Sequence, residues 1–271
     1  MKDKVRIFSY LPNPRVWKSI IAANYGGIEI EVIGDKPRNL VNWLWDYDAK
    51  LLTDPEKENY KDLKKVGKRG FAGELYKTSA FLEAHPFGTV PAAFGGEEKI
   101  GIFESNSILR EVARLSGHKT LYGGEDIHIK SRIDSFLDAN LVFSREFQVY
   151  ILELEDLNEY THARTSAAYR FYLDGVEASL SKTAYLADVN LTIADISFVC
   201  EFSQFLREGH YESDIREKGL DLISKDFKKD YPLSFNHLFK LSAKKEFTSV
   251  MGTYLDWYKE KFFEQSNVPR S

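Results

Sequence analysis

The pair in this chain best placed to do chemistry is Glu104-Ser105, which follows the strand-like run Ile100 to Phe103 and opens a helical pattern from Ser105 to Leu115. A strand-to-helix junction offers free N–H donors and the positive end of the helix dipole, an arrangement suited to a carboxylate ligand. The same two residues would also serve an ordinary capped helix. Other reactive residue types offer less. Cys200 is the single cysteine and lies in the apolar run Ile196-Ser197-Phe198-Val199-Cys200, where it reads as a small buried hydrophobe. His85, His118, His128, His162, His210 and His237 show neither metal-ligand spacing nor a Ser-His-Asp arrangement, so no metal is expected.

The elements that must position such residues fall into two groups. Val5 to Tyr10 is a short β-branched and aromatic run, broken by Leu11-Pro12-Asn13-Pro14 before a helical pattern from Arg15 to Tyr25 that Gly26-Gly27 stops. Ile28 to Ile33 alternates apolar with acidic residues and predicts a strand with one solvated face. From Gly34 to about Thr78 the chain is polar and lysine-rich, yet Trp43, Trp45, Tyr47, Tyr60 and Phe71 argue for an ordered insertion, with a helix near its start. One or two helical turns over Thr78 to Ala84 follow, then a turn entering a strand from Pro86 to Phe94, a hairpin loop at Gly95-Gly96-Glu97-Glu98, and the returning strand. After Tyr122-Gly123-Gly124 strand signals vanish. Amphipathic helices are expected at about Ile127 to Glu155, His162 to Leu180 and Thr192 to Arg207, with shorter ones to the end.

Composition sets outer limits. A chain of 271 residues with 43% hydrophobic and 14% aromatic residues can fill two cores. Its net charge is −4 and its 37 Lys and Arg are dispersed, so nucleic acid is not expected as a ligand. Met1 to Arg6 passes straight into a strand and no apolar run reaches the length of a membrane span; a soluble cytoplasmic protein is the expectation.

Two adjacent motifs, Phe87-Gly88-Thr89-Val90-Pro91 and Phe103-Glu104-Ser105-Asn106-Ser107-Ile108-Leu109, together with Tyr185 to Ile196, resemble the cytosolic glutathione transferases. Thr192 and Asp195 in the last of these are spaced as a helix capping box. The resemblance covers nearly the whole chain, with the segment 34–78 as its departure. Ile7-Phe8-Ser9-Tyr10 and the helix Trp17 to Tyr25 are similar to the branch related to the N-terminal domain of elongation factor 1B gamma. It implies a thioredoxin-like α/β domain over 1–118 with 34–78 inserted, followed by an all-helical domain over 126–271. It also implies glutathione as co-substrate and a homodimer.

Carried over residue by residue, the resemblance makes Pro91 a cis proline and Val90 the residue whose backbone pairs with the cysteinyl part of glutathione. Glu104 would take the γ-glutamyl ammonium, and Ser105 the carboxylate. Asn13 falls where a serine or cysteine would favour the thiolate, and Ser9 falls near the tyrosine of other classes. An amide N–H at Asn13 can hydrogen-bond a thiolate, with the following helix N-terminus adding positive potential; its other role would be a helix cap. The pocket for a small apolar electrophile is expected at Leu11 and Pro12 and along the first long helix at Asn140, Phe143 and Phe147, although an aromatic stripe of this kind is usually core. Thioether formation, displacement and ether cleavage fit such a site. The alternative is a transferase-like protein-protein interaction module with a silent site.

Overall fold

The computed structural model describes residues 5–67, 71 and 73–263, except the side chains of Glu155 and Phe263. Positions 1–4, 68–70, 72 and 264–271 lie outside the described residues, and with them the reading of the N-terminal lead-in, part of the insertion and the last helical stretch. The chain divides into two compact units, the first up to Gly117 and the second from His118.

The first unit opens with β1 (Val5–Tyr10), α1 (Pro14–Gly26) and β2 (Ile30–Asp35), with β1 and β2 parallel. Asn13 caps α1, Pro14 fills the first helical position without wasting an N–H, and Gly27 ends the helix at φ 62°. The Ile28 N–H still bonds Ala23 O at 3.1 Å. Ile28 and Glu29 therefore belong to the helix exit, and the strand expected from Ile28 begins two residues later.

The insertion is a second small sheet. A 3-10 turn at Pro37–Asn42 stands where a helix was expected; β3 (Trp43–Trp45), β4 (Lys50–Leu51), α2 (Asp54–Asn59), β5 (Lys64–Val66) and β6 (Glu74–Lys77) follow. The strand order is β4-β3-β6-β5, with β3 and β6 parallel. Trp43-Leu44-Trp45 becomes a strand because its alternate side chains have separate shells: Trp45 faces Phe8, Phe71 and Phe81, while Leu44 packs with Leu52 and Tyr76.

Then come α3 (Ser79–Ala84), β7 (Ala92–Gly95), β8 (Ile100–Phe103) and α4 (Ser105–Leu115). The main sheet has the order β2-β1-β7-β8, with β7 antiparallel to both neighbours. Phe8, Ala92 and Phe94 of this sheet share a buried core with Leu40, Trp45 and Leu75 of the insertion and Phe81 of α3. Burying each large side chain there contributes roughly 1.5–3 kcal/mol. Arg6 bolts the insertion down: Nε donates to Glu31, Nη1 to Tyr47 O and Asp48, and the guanidinium lies 4.3 Å from the Tyr47 ring centre.

The second unit is helical: α5 (Ile127–Leu152), α6 (Glu159–Leu180), α7 (Ile193–Phe205), α8 (Glu212–Glu217), α9 (Phe227–Asp230), α10 (Pro232–Ser242), α11 (Lys245–Met251) and α12 (Asp256–Phe263). Two buried carboxylates organise it. Asp195 accepts from the N–H groups of Leu186 and Thr192, from the Thr192 hydroxyl and from the His237 ring. Glu208 accepts from Tyr150, from the Ser224 N–H and hydroxyl, and from the Ile223 N–H. Such satisfaction is what makes a buried charge tolerable.

Candidate functional site

One end of the main sheet collects the residues singled out in the first unit. The C-terminal ends of β1 and β8, the entry to β7, and the N-termini of α1 and α4 all lie there. The β7–β8 register pairs Ala92, the first residue of β7, with Phe103, the last residue of β8, so Val90-Pro91 and Glu104-Ser105 adjoin the same end of that ladder. The β1–β7 register ends with Phe8 opposite Ala92, which places the entry to β7 beside the C-terminal end of β1. The Val90–Pro91 peptide is cis, as is Leu11–Pro12.

Glu104 has φ 64° and ψ 122° and an exposed side chain. A non-glycine residue in that region costs on the order of 1–3 kcal/mol and persists only where the surroundings impose it. Its carbonyl accepts from Ser107 and Ile108, which starts α4, and its side chain makes no capping bond. Ser105 follows at 6% exposure, with no hydrogen bond to its hydroxyl among the described residues. Here the carboxylate, the hydroxyl and the first N–H groups of α4 stand together. The arrangement suits a ligand with neighbouring ammonium and carboxylate groups.

The turn before Val90 is held from the insertion. Lys77, the last residue of β6, is 3% exposed; its Nζ donates to Gly88 O at 2.8 Å and lies 4.8 Å from the Trp45 ring centre. Sequence reasoning passed over Lys77 as one lysine of a lysine-rich stretch. Its one signal was its place directly after the apolar pair Leu75-Tyr76 at the end of β6. Deeper in, Lys18 of α1 donates to Asn106 of α4 at 2.6 Å, tying together the two helices whose N-termini frame this end.

The residues proposed to act on a thiolate are differently disposed. Asn13 and Ser9 are both fully buried. Asn13 Nδ2 donates to Ser9 Oγ at 3.0 Å, and its Oδ1 accepts from the Arg15 N–H at 2.9 Å, the bond of a helix cap. Half of the Asn13 amide therefore serves folding and the other half serves Ser9. Ser9 keeps a hydroxyl hydrogen of its own to donate. Leu11 is half-buried and Pro12 exposed at the mouth of the same turn.

Asn140, Phe143 and Phe147, expected along a second-substrate pocket, are core side chains of the helical unit, at 1%, 1% and 0% exposure. Phe143 stacks on Tyr172 at 5.0 Å and meets Phe147, Phe202 and Phe205. Asn140 gives its amide to the Tyr172 hydroxyl and accepts from Ser197. The helical spacing was real, and it marked the buried face of α5. Among the described residues no group of three or more His, Cys, Asp or Glu could hold a metal ion, and no helix is long and apolar enough to cross a membrane.

No family model matches the chain. Over 253 residues it is 23% identical to a probable elongation factor 1-gamma 1 of Arabidopsis thaliana, covering 91% of this chain and 48% of the relative. It is 27% identical to an elongation factor 1-gamma of Prunus avium over 252 residues, covering 89% and 46%. The chain thus spans about half the length of these curated relatives. Among solved structures, a glutathione S-transferase of Methylobacillus flagellatus with GSH bound superposes with a TM-score of 0.60 at 12% identity, covering 91% of this chain and 98% of that one. The glutathione transferase URE2P8 of Phanerochaete chrysosporium, solved with oxidized glutathione, superposes at 0.60 and 16% identity, covering 98% of both chains. The fold is that of the glutathione transferases.

Proposed function

We propose that the first unit of this chain binds glutathione and presents its sulfur to a small apolar electrophile. The γ-glutamyl carboxylate sits at the N-terminus of α4 against Ser105, its ammonium at Glu104, and the cysteinyl backbone along Val90. The observation that carries this reading is the left-handed backbone of Glu104 beside an unengaged Ser105 hydroxyl. A capped helix requires neither feature, whereas a ligand with adjacent opposite charges uses both. The glutathione bound in two of the solved neighbours supports the same ligand.

Chemistry on the sulfur requires the thiolate, the form that attacks electrophiles. The groups offered for it are the hydroxyl hydrogen of Ser9, the remaining N–H of Asn13 and the N-terminal dipole of α1. In this reading the protein is a cytoplasmic homodimer that conjugates glutathione to apolar electrophiles or uses it to displace a leaving group.

A second reading is favoured by one observation, the burial of Asn13 and Ser9 against each other. A site whose thiolate donors are already paired is a silent one. The chain would then act as an interaction module that docks a protein partner, in keeping with its likeness to elongation factor 1-gamma.

Calorimetric titration with glutathione separates the readings, using the wild type, Ser105→Ala and Asn13→Ala, followed by thiolate absorbance of the bound complex. Binding that Ser105→Ala weakens about tenfold, with a thiolate signal that Asn13→Ala removes, is the transferase outcome. Binding without a thiolate signal selects the silent module. Absence of binding refutes the glutathione site.

A further inference from the structure

Lys77 connects the insertion to the candidate site. It ends β6, whose parallel pairing sets Trp45 opposite Lys77, and the Thr78 N–H bonds Trp45 O at 3.2 Å. Trp45 is completely buried, its indole N–H donates to Leu40 O, and its ring contacts Phe8 of β1 and Phe81 of α3. The insertion thereby holds one rigid platform under the Lys77 ammonium. At its far end that ammonium grips the carbonyl of Gly88, two residues before Val90. Gly88 itself is at φ 59°, its N–H bonds His85 O, and a Cβ there would come within 3.2 Å of Leu82 and 3.4 Å of Lys77 Nζ. The turn is therefore fixed on one side by α3 and on the other by the inserted sheet.

We infer that Lys77 is a positioning residue for the glutathione site: it orients the Val90 backbone by holding the Gly88 carbonyl, and the inserted sheet is the strut that carries it. This rests on the glutathione reading above. A buried ammonium that donates to a carbonyl on a tight turn limits the directions the following peptide groups can face. The Val90 N–H and C=O are the groups whose direction matters to an added backbone. Losing this one buried bond leaves an unpaired carbonyl and a turn free to rotate, worth about tenfold in affinity for a ligand that depends on it.

The test compares the wild type, Lys77→Met, Lys77→Gln and, as a control on the exposed strand β5, Lys65→Met. Each is titrated with glutathione and with γ-glutamylcysteine, which lacks the glycine carboxylate. Hydrogen exchange of the peptide covering residues 88–95 is followed without ligand. Lys77→Met should weaken both ligands equally, by about tenfold, and speed exchange in that peptide severalfold while residues 193–205 exchange as before. Lys77→Gln keeps a donor and should lose less, and Lys65→Met should match the wild type. Weakening of glutathione alone would mean that Lys77 touches the glycine carboxylate directly, and it overturns the inference. Unchanged exchange over 88–95 in both Lys77 variants overturns it too. A wild type that binds neither ligand removes the glutathione reading, while the exchange result still decides whether Lys77 holds the turn.

Discussion

Replacing His85 by leucine should make the protein markedly more resistant to acid. His85 is 1% exposed, its ring lies 5.1 Å from Phe81 and 4.8 Å from Phe94, and neither ring nitrogen has a hydrogen-bond partner among the described residues. Burial holds its pKa down at about 4, against an ordinary 6.5. Between those two values the unfolded chain binds a proton that the folded one refuses, so stability falls as the pH falls through that window. Above the upper value the ring is neutral in both states and contributes no pH dependence. The gap is 6.5 minus about 4, or about 2.5 units. At about 1.4 kcal/mol for each, the full loss is about 3–4 kcal/mol, complete once both states are protonated.

Leucine is close to histidine in volume and has no proton to take up. Urea unfolding of both proteins at about pH 7 and about pH 4.5 should show the difference in stability widening by about 2–3 kcal/mol at the lower pH. The comparison between proteins matters, because other groups titrate in the same window. Burial raises the pKa of Glu208, which makes its contribution fall as the pH rises, the opposite sense, and it is present in both proteins. A difference that stays the same at both pH values would refute the picture of a neutral imidazole sealed between Phe81 and Phe94.

Three further outcomes are expected. Phe143→Ala should cost about 3–5 kcal/mol by chemical denaturation, as a core truncation does, whereas a pocket wall would alter ligand affinity with little loss of stability. Arg6→Ala removes two part-exposed ion pairs, the bond to Tyr47 O and the contact with the Tyr47 ring. The cost should be only about 1–2 kcal/mol, read as faster hydrogen exchange in 43–51 than in α4. Asp195→Ala strands four donors inside the helical unit, from Leu186, Thr192 (two) and His237, and should destabilise by more than about 3 kcal/mol in a thermal melt, well beyond the roughly 1 kcal/mol of Thr192→Ala.

Much of the local structure was legible because it rests on chemistry between near neighbours in sequence. Helix α4 runs from Ser105 to Leu115 as its apolar rhythm indicated, and β8 is Ile100–Phe103 as read. Thr192 and Asp195 form the capping box their spacing announced. These features depend on backbone periodicity and on side chains reaching three or four residues away. The order of parts followed from the same local signs, and the fold of the glutathione transferases was expected from the resemblance carried by Phe87 to Pro91, Phe103 to Leu109 and Tyr185 to Ile196.

What the sequence by itself determined is therefore most elements of the main sheet and of the helical half, and the faces they bury; the second sheet of the insertion was not among them. Only the tertiary structure decided what those faces meet. The stripe of Phe143 and Phe147 has the same spacing whether it lines a pocket or a core, and the answer came from Tyr172, Phe202 and Phe205 on two other helices. The two strands of the insertion that pair in parallel, β3 and β6, are separated by the whole of the inserted chain between them, so no short-range pattern could disclose their register. The surroundings of Lys77 and His85 were decided in the same way. A lysine becomes a strut only because Gly88 O lies 2.8 Å from its end, and a histidine is silenced only because aromatic rings close around it. Charge and polarity are written in the residue type, but their energetic meaning depends on the solvent and partners that the folded chain leaves around each group.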